Sequence, residues 1–540
     1  MRLCYALAEA LWGSLVSCGR LSIGPLPGSQ RTGGGNQPPR RLPTCPTSMA
    51  HVACFLLLVS CAAAQIRTVA LPGKSPLVTF RILFTTGSAA DPADQPGLAY
   101  LTAQTIADSG TKNLTYKQVT DALFPMAAAV TVQVDKEMCT FSGATHVDNL
   151  TEYYKLLRGR LLTPGWREDD FRRVKDDAVN AIKVSLRGNN DEELGKEALY
   201  ETLYQGTPYG HFNGGTVSSL EKISLDDVKA FYKSQYSQSQ LIIGIAGGYS
   251  PEFLASMKKD FEALPAAASP RPGPAAIPAP LPVEKSRIVI VDKDTRSVAF
   301  SIGYPIEVTR ARPDYAALLL VSSYLGQHRM SSGVLYDRMR EKRGLNYGDY
   351  AYIEYFPRGM YLMEPQPNLA RHRQIFQVWI RPVEPPTAKF ALRLALFELD
   401  KLNKNGLTQE EFERTREFLS KYVNVLTRTK RAELGYAIDS LFYGIPPYND
   451  YLKAQLAKLT LADVNRVIKK YIRADRVAIA AVTRNGEDLK RQLASEDASP
   501  MTYNSPKPKE ITGEDTLVVK WPLGVKAEDI KVRPVSEVFQ

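Results

Sequence analysis

Tyr100 and Gln104 stand four residues apart in the stretch GLAYLTAQ, with Ala103 between them. The stretch opens an amphipathic helix after an apolar strand and a polar turn, VTFRILFTTGSAADPADQP. Positions i and i+4 share a helix face, so histidines there could hold one metal ion while a neighbouring carboxylate acted as base. Here the three positions carry a phenol, a carboxamide and a methyl group. A protonated phenol and a neutral amide oxygen are poor ligands for a divalent cation, and alanine takes no proton. A second pair, Arg340 and Tyr347 in MREKRGLNYGDY, offers a guanidinium and a phenol seven residues apart. Two such donors can hold a carbonyl oxygen and stabilise the charge that develops on it.

No other grouping competes. After the leader region the histidines are His146, His211, His328 and His372, and no two lie four residues apart. His211 is expected to cap a loop, His146 to end a strand, and His328 and His372 to lie at the surface. Five cysteines fall in the first 61 residues; only Cys139 follows, in EMCTFSGA. A chain with one remaining thiol has no disulfide framework, and Cys139 is expected to be a small buried hydrophobe. Gly-x-Ser-x-Gly is absent, as is any Cys/His pairing that suggests a nucleophile. Asp91 and Asp94 belong to a turn, DPAD.

The elements that must position these residues form two halves. A chain of 540 residues is too long for one core. Its composition, 44% hydrophobic and 23% charged, is that of a soluble globular protein. The net charge of +11 is dispersed, without the basic runs interleaved with aromatics that track nucleic acid. Residues 1–64 read as a leader and signal region. MAHVACFLLLVSCAAAQ has a short apolar core, too short to span a bilayer, followed by small residues. AAA before Gln65 suits signal cleavage, whereas LVSC ending at Cys61 resembles a lipobox, which would put lipid on Cys61. Either outcome implies an exported protein of the periplasm or cell envelope, with lipid on Cys61, in the second case, as its only expected link to a membrane.

A Pro/Ala-rich linker, 265–285, separates residues 65–264 from residues 286–498, and an extended tail follows over 499–540. The halves repeat each other. SLDDVKAFYKSQYSQSQLIIGIAGG from Ser224 parallels TLADVNRVIKKYIRADRVAIAAVT from Thr460, each a capped helix followed by an apolar strand. REDDFRRVKDDAVNAI likewise parallels TQEEFERTREFLSKYV, with Phe171 matching Phe412. The expected fold is α+β: two tandem homologous domains, each a mostly antiparallel sheet covered by helices.

In this order the parts resemble the pitrilysin/insulinase family of peptidases, the inverzincins. The likeness runs from about Val69 to Val482. It rests on GSAADPADQPGLAYL, TPYGHFNGGTVSSLEKISLDDVKAFY and SSGVLYDRMREKRGLNYGDYAYIEYFPRG. Active members carry H-x-x-E-H on the helix opening at GLA, and a further glutamate about 75 to 80 residues later completes a zinc site. The resemblance puts these positions on Tyr100, Ala103, Gln104 and, for the distant glutamate, near Lys183. A lysine would repel a dication, so the resemblance implies a degenerate site without metal in this chain. It also implies a role for Arg340 and Tyr347. In relatives built of two similar subunits, one subunit carries the histidines and the other supplies an arginine and a tyrosine at this spacing.

The chain is therefore expected to be the non-catalytic, peptide-binding subunit of a heterodimeric peptidase, with zinc on a homologous partner. The alternatives are a non-enzymatic peptide-binding or assembly protein and a metallopeptidase with unorthodox ligands. Peptide capture in the family resembles strand addition to an exposed sheet edge. The candidate edge is AAAVTVQV, with Ala127, Ala128, Ala129 and Val130 as contacts, and an ordinary core strand is the competing reading.

Overall fold

The computed structural model describes residues 66–267, 278–280, 282–327, 330–359 and 362–540. The leader with Cys61, His328 and most of the linker lie outside the described residues.

Two sheets organise the described chain. The first takes β1 (Arg67–Pro72), β2 (Leu77–Phe84), β3 (Val130–Val134), β4 (Cys139–His146) and β5 (Leu241–Gly247), in the order β1-β5-β2-β4-β3. The second takes β6 (Arg287–Asp292), β7 (Val298–Ile306), β8 (Asp349–Tyr352), β9 (Gln374–Val383), β10 (Ala478–Thr483) and β11 (Ile530–Pro534). Its order is β11-β6-β10-β7-β9-β8. Without β11 the two orders are identical, so the repeat read from the sequence is a repeat of topology. In both, the first strand runs parallel to the strand at the end of the half, and apart from the parallel pairing of β11 with β6 the other pairings are antiparallel.

The caps form as the sequence predicts. Ser224 Oγ accepts from Asp227 N at 3.2 Å, and Asp227 Oδ2 accepts from Ser224 N at 2.8 Å. Thr460 and Asp463 repeat the arrangement at 3.2 and 3.1 Å. Phe171 and Phe412 are both buried.

One relationship escaped the sequence reading. Helix Asp191–Tyr204 of the first half packs on β7 and β10 of the second, while helix Lys430–Tyr443 of the second packs on β1, β2 and β5 of the first. Both helices carry Glu-Leu-Gly, at residues 193–195 and 433–435. The glycines permit the approach. A Cβ on Gly195 would stand 3.3 Å from Ser301 Oγ, and one on Gly435 2.6 Å from Pro367 Cβ. The halves thus exchange a helix each, and their cores merge.

The tail requires a correction. Residues 499–540 are not simply extended: they hold helix Lys509–Val518 and the edge strand β11. Ile530 and Val538 are buried, and the pull of such residues on the core explains the ordering. Beyond β11 the chain returns to the first half, where Val217 N and Ser218 N donate to Phe539 O and Gln540 O at 3.0 and 2.8 Å. Among the described residues no helix is long and apolar enough to cross a membrane.

Candidate functional site

Helix Leu98–Ala107 carries the first motif. Asp91 fixes its start: the two carboxylate oxygens accept from Gly97 N and Ala99 N, both at 2.7 Å. His211 Nε2 lies 3.0 Å from Asp91 Oδ2, so His211 does belong to a loop cap. Burial, with the nearby charge of Lys136, holds the imidazole below its ordinary pKa. Gly97 adopts φ 98° and Gly215 φ 82° where the two backbones meet. A Cβ on Gly97 would stand 2.8 Å from Gly215 Cα, which explains why the PGLA and NGG segments both place a glycine at this contact.

Tyr100 and Gln104 project into a cavity of about 310 Å³ between the two halves. Its apolar lining comes from β3 (Val132, Val134), from Ala178, Ala181 and Ile182, and from Leu369 of the second half. Ala103 sits behind them, fully buried in the core.

Lys183 must be corrected. Residues Ala181–Leu186 form a π-helical turn, whose wider spacing swings Lys183 away from the cavity. Lys183 is exposed and its Nζ lies 3.5 Å from Glu221 Oε1. Ala178, Ala181, Ile182 and Ser185 face the cavity instead. The side chains nearest in spacing that do face it are Ile182 and, one position earlier, Ala181.

Arg340 also lies on a π-helical turn, Tyr336–Glu341. Its Nη1 donates to the Tyr336 hydroxyl, and more weakly to Tyr347 O at 3.4 Å. The guanidinium carbon is 4.8 Å from the Tyr336 ring centroid and 5.8 Å from that of Tyr347. The structure therefore brings Arg340 and Tyr347 together, but does not bring them to the cavity. Tyr347 is 75% exposed, in contrast to a core tyrosine.

The candidate edge holds in part. β3 is the outermost strand of its sheet, but it begins at Val130. Ala127, Ala128 and Ala129 precede it. Ala127 takes φ 48° after a short 3-10 turn, and the Ala129 carbonyl accepts from Tyr153 OH at 2.9 Å. A left-handed residue and a committed carbonyl break the ladder there, so strand addition has to begin at Val130.

Residues 68–215 match the family profile described as Insulinase (Peptidase family M16), and residues 222–419 match the one described as Peptidase M16 inactive domain. The chain belongs to the insulinase (M16) family. It is 22% identical over 417 residues to the Non-peptidase homolog YmxG of Helicobacter pylori, covering 76% of this chain and 90% of the relative. It is 21% identical over 226 residues to the Probable mitochondrial-processing peptidase subunit beta of Arabidopsis thaliana, covering 42% of each chain. The crystal structure of a peptidase M16 inactive domain from Pseudomonas fluorescens has the same fold, with a TM-score of 0.67 at 22% identity, covering 79% of this chain and 97% of that one.

The residues at this insulinase-family site do not fit the family's zinc. Burial raises the Tyr100 phenol above its ordinary range, only partly opposed by the Arg358 charge, and a neutral phenol is a poor ligand. Gln104 offers one neutral oxygen, and Ala103 and Ala181 offer none. The cavity's two carboxylates are already engaged: Glu193 by Lys196, and Glu197 by Tyr355 OH at 2.6 Å. Among the described residues no cluster of three His, Cys, Asp or Glu side chains could hold a metal ion. Cys139 is buried, and burial pushes its thiol up to about 12, which suits an inert core residue.

Sequence reasoning missed the buried polar network behind the cavity. Arg371 pairs with Asp135, Glu137 accepts from His372 N at 2.7 Å, and Lys136 Nζ donates to His211 O. His372, expected at the surface, is half-buried, with Nδ1 2.6 Å from Glu137 Oε2. The run Asp135-Lys136-Glu137 inside an otherwise apolar hairpin was the available signal, since three charges there need partners.

Proposed function

We propose that this chain is the metal-free subunit of a two-chain metallopeptidase acting on peptides. It holds the peptide and presents Arg340 and Tyr347 to a homologous subunit that carries H-x-x-E-H and the zinc. The observation that carries this reading is the Arg340–Tyr336–Tyr347 cluster: a guanidinium already oriented by two aromatic neighbours, with an exposed phenol, outside the chain's own cavity. Donors that serve this chain's own cavity would have to line it, and these do not. On the partner's site, the guanidinium and phenol would donate to the oxygen of the scissile carbonyl as negative charge builds there. Similarity to the Helicobacter non-peptidase homolog supports a chain that does not cut peptides alone, and similarity to the Arabidopsis processing-peptidase subunit supports subunit organisation. The signal-like leader supports export to the periplasm or cell envelope, by cleavage before Gln65 or lipid on Cys61.

The test is reconstitution. The purified chain should leave peptides uncut, and hydrolysis should appear on mixing with a histidine-bearing homologue encoded nearby. No hydrolysis with such a partner would leave a peptide-binding or assembly protein, which the apolar cavity at the degenerate site favours as the second reading. Stoichiometric zinc in the chain alone would support unorthodox ligands and overturn both.

A further inference from the structure

Tyr100 and Gln104 line a cavity, and the rest of its lining states what fits. At about 310 Å³ it lies at the small end of ligand pockets, roughly 300–1,000 Å³, which suits one side chain and the group beside it. Its apolar lining is Val132, Val134, Ala178, Ala181, Ile182 and Leu369.

Most polar groups in the lining are committed elsewhere. Glu193 is paired with Lys196 and also accepts from Gly359 N at 3.3 Å. Glu197 accepts from Tyr355 OH, and Gln133 Nε2 donates to Pro367 O and Asn368 O at 3.2 and 2.9 Å. Asn213 Nδ2 donates to Asp135 Oδ1 at 2.9 Å. Tyr100, Gln104 and Ser185 carry no charge, and among the charged groups Arg358 is the exception. It is the only cation in the lining, it is exposed, and among the described residues its side chain has no ion pair or hydrogen bond. Its backbone takes φ 54°, a left-handed conformation that is strained for a non-glycine residue. β3, the edge strand, supplies the adjoining wall.

We propose that this cavity binds the C-terminal end of a peptide, taking an apolar last side chain among Ala178, Ala181 and Ile182 and its terminal carboxylate on Arg358. The preceding residues lie along β3. A planar guanidinium suits a carboxylate, and no other cation in the lining competes for it. The inference rests on the peptide-binding part of the reading above and extends it to a class of ligand: peptides with a free, apolar C-terminus.

The experiment uses the chain alone, with no partner present. A fluorescein-labelled nonapeptide ending in leucine is titrated and followed by polarisation, beside the same peptide amidated at its C-terminus and a version ending in aspartate. The free leucine peptide should bind saturably, and either change should weaken it tenfold or more. Arg358→Ala should weaken the free peptide to the level of the amidated one and leave the amidated one unchanged. Ala181→Trp should abolish binding with the unfolding midpoint retained; if that variant does not fold, the Arg358 cycle decides. Equal affinity for free and amidated peptides, or additive losses in the Arg358 cycle, would overturn the proposal. Binding that behaves as stated while no partner restores hydrolysis would sink the subunit reading and leave this site standing.

Discussion

Arg371, from the second half, donates Nε to Asp135 Oδ2 of the first half at 2.7 Å, with both side chains sealed from solvent. The guanidinium also lies 3.5 Å from the Tyr355 ring centroid, while Tyr355 OH donates to Glu197. A buried pair of this kind gains little over an apolar substitute, but losing one partner strands a charge. Asp135→Ala should therefore cost about 3–5 kcal/mol in urea unfolding, and Arg371→Leu a similar amount. The double variant should cost clearly less than the sum. Additive losses would show that the halves are not joined through this pair.

The repeat, the capped helices and the principal strands were legible because each rests on local pattern. Ser224 and Thr460 carry their acidic partner three residues on, and β2 and β7 are mostly apolar runs. β1 and β6 fell inside the expected domains but were not read as strands, because each is short and finds its partner through a parallel pairing far along the chain. The tail was misread for the same reason: β11 pairs with β6, more than two hundred residues earlier. At the site, Tyr100 and Gln104 fell where the pattern put them because a regular helix fixes their face. Lys183 did not, since a π-helical turn shifts the face without any mark that a period of 3.6 can detect.

Asp349 gives a pH signature. It is wholly buried beside the Arg340–Tyr347 turn, with Oδ1 accepting from Asn346 Nδ2 at 2.8 Å, and burial pushes its carboxyl up to about 8. The unfolded chain releases this proton near pH 4, whereas the folded chain keeps it to about pH 8. Between those values the folded state binds more protons, so stability falls as pH rises, by up to about 1.4 kcal/mol per pH unit. Asp349→Asn should remove this component. The urea midpoint of the wild-type chain should drop more between pH 5 and pH 8 than that of the variant. Parallel profiles would show that Asp349 is ionised in the folded protein.

The corrected position of the missing acidic ligand can be tested by rebuilding a metal site. Three ligands suffice for binding, so Ala103 stays as it is, since a carboxylate at that fully buried position would be costly. Tyr100→His with Gln104→His and Ala181→Glu should retain about one zinc per chain after dialysis, by elemental analysis. The same histidines with Lys183→Glu should retain far less, because that side chain points to Glu221 and solvent. Equal zinc in both would mean that position 183 reaches the cavity after all.

The Arg340 cluster makes the sharpest demand on the proposed partnership. Arg340 contacts the Tyr336 hydroxyl and the Tyr347 carbonyl and is part-exposed, so removing it should leave the unfolding midpoint almost unchanged. If its guanidinium stabilises the oxyanion in the partner's site, Arg340→Ala should lower kcat of the mixed enzyme by about 10²–10³ with a smaller change in KM. Arg340→Lys should recover only part of this, because an ammonium keeps the charge and loses the planar fork. Tyr347→Phe should lower kcat independently, since it deletes a second donor and keeps the ring against Arg340. A rise in KM at constant kcat for Arg340→Ala would place the arginine in substrate binding alone and remove it from the chemistry.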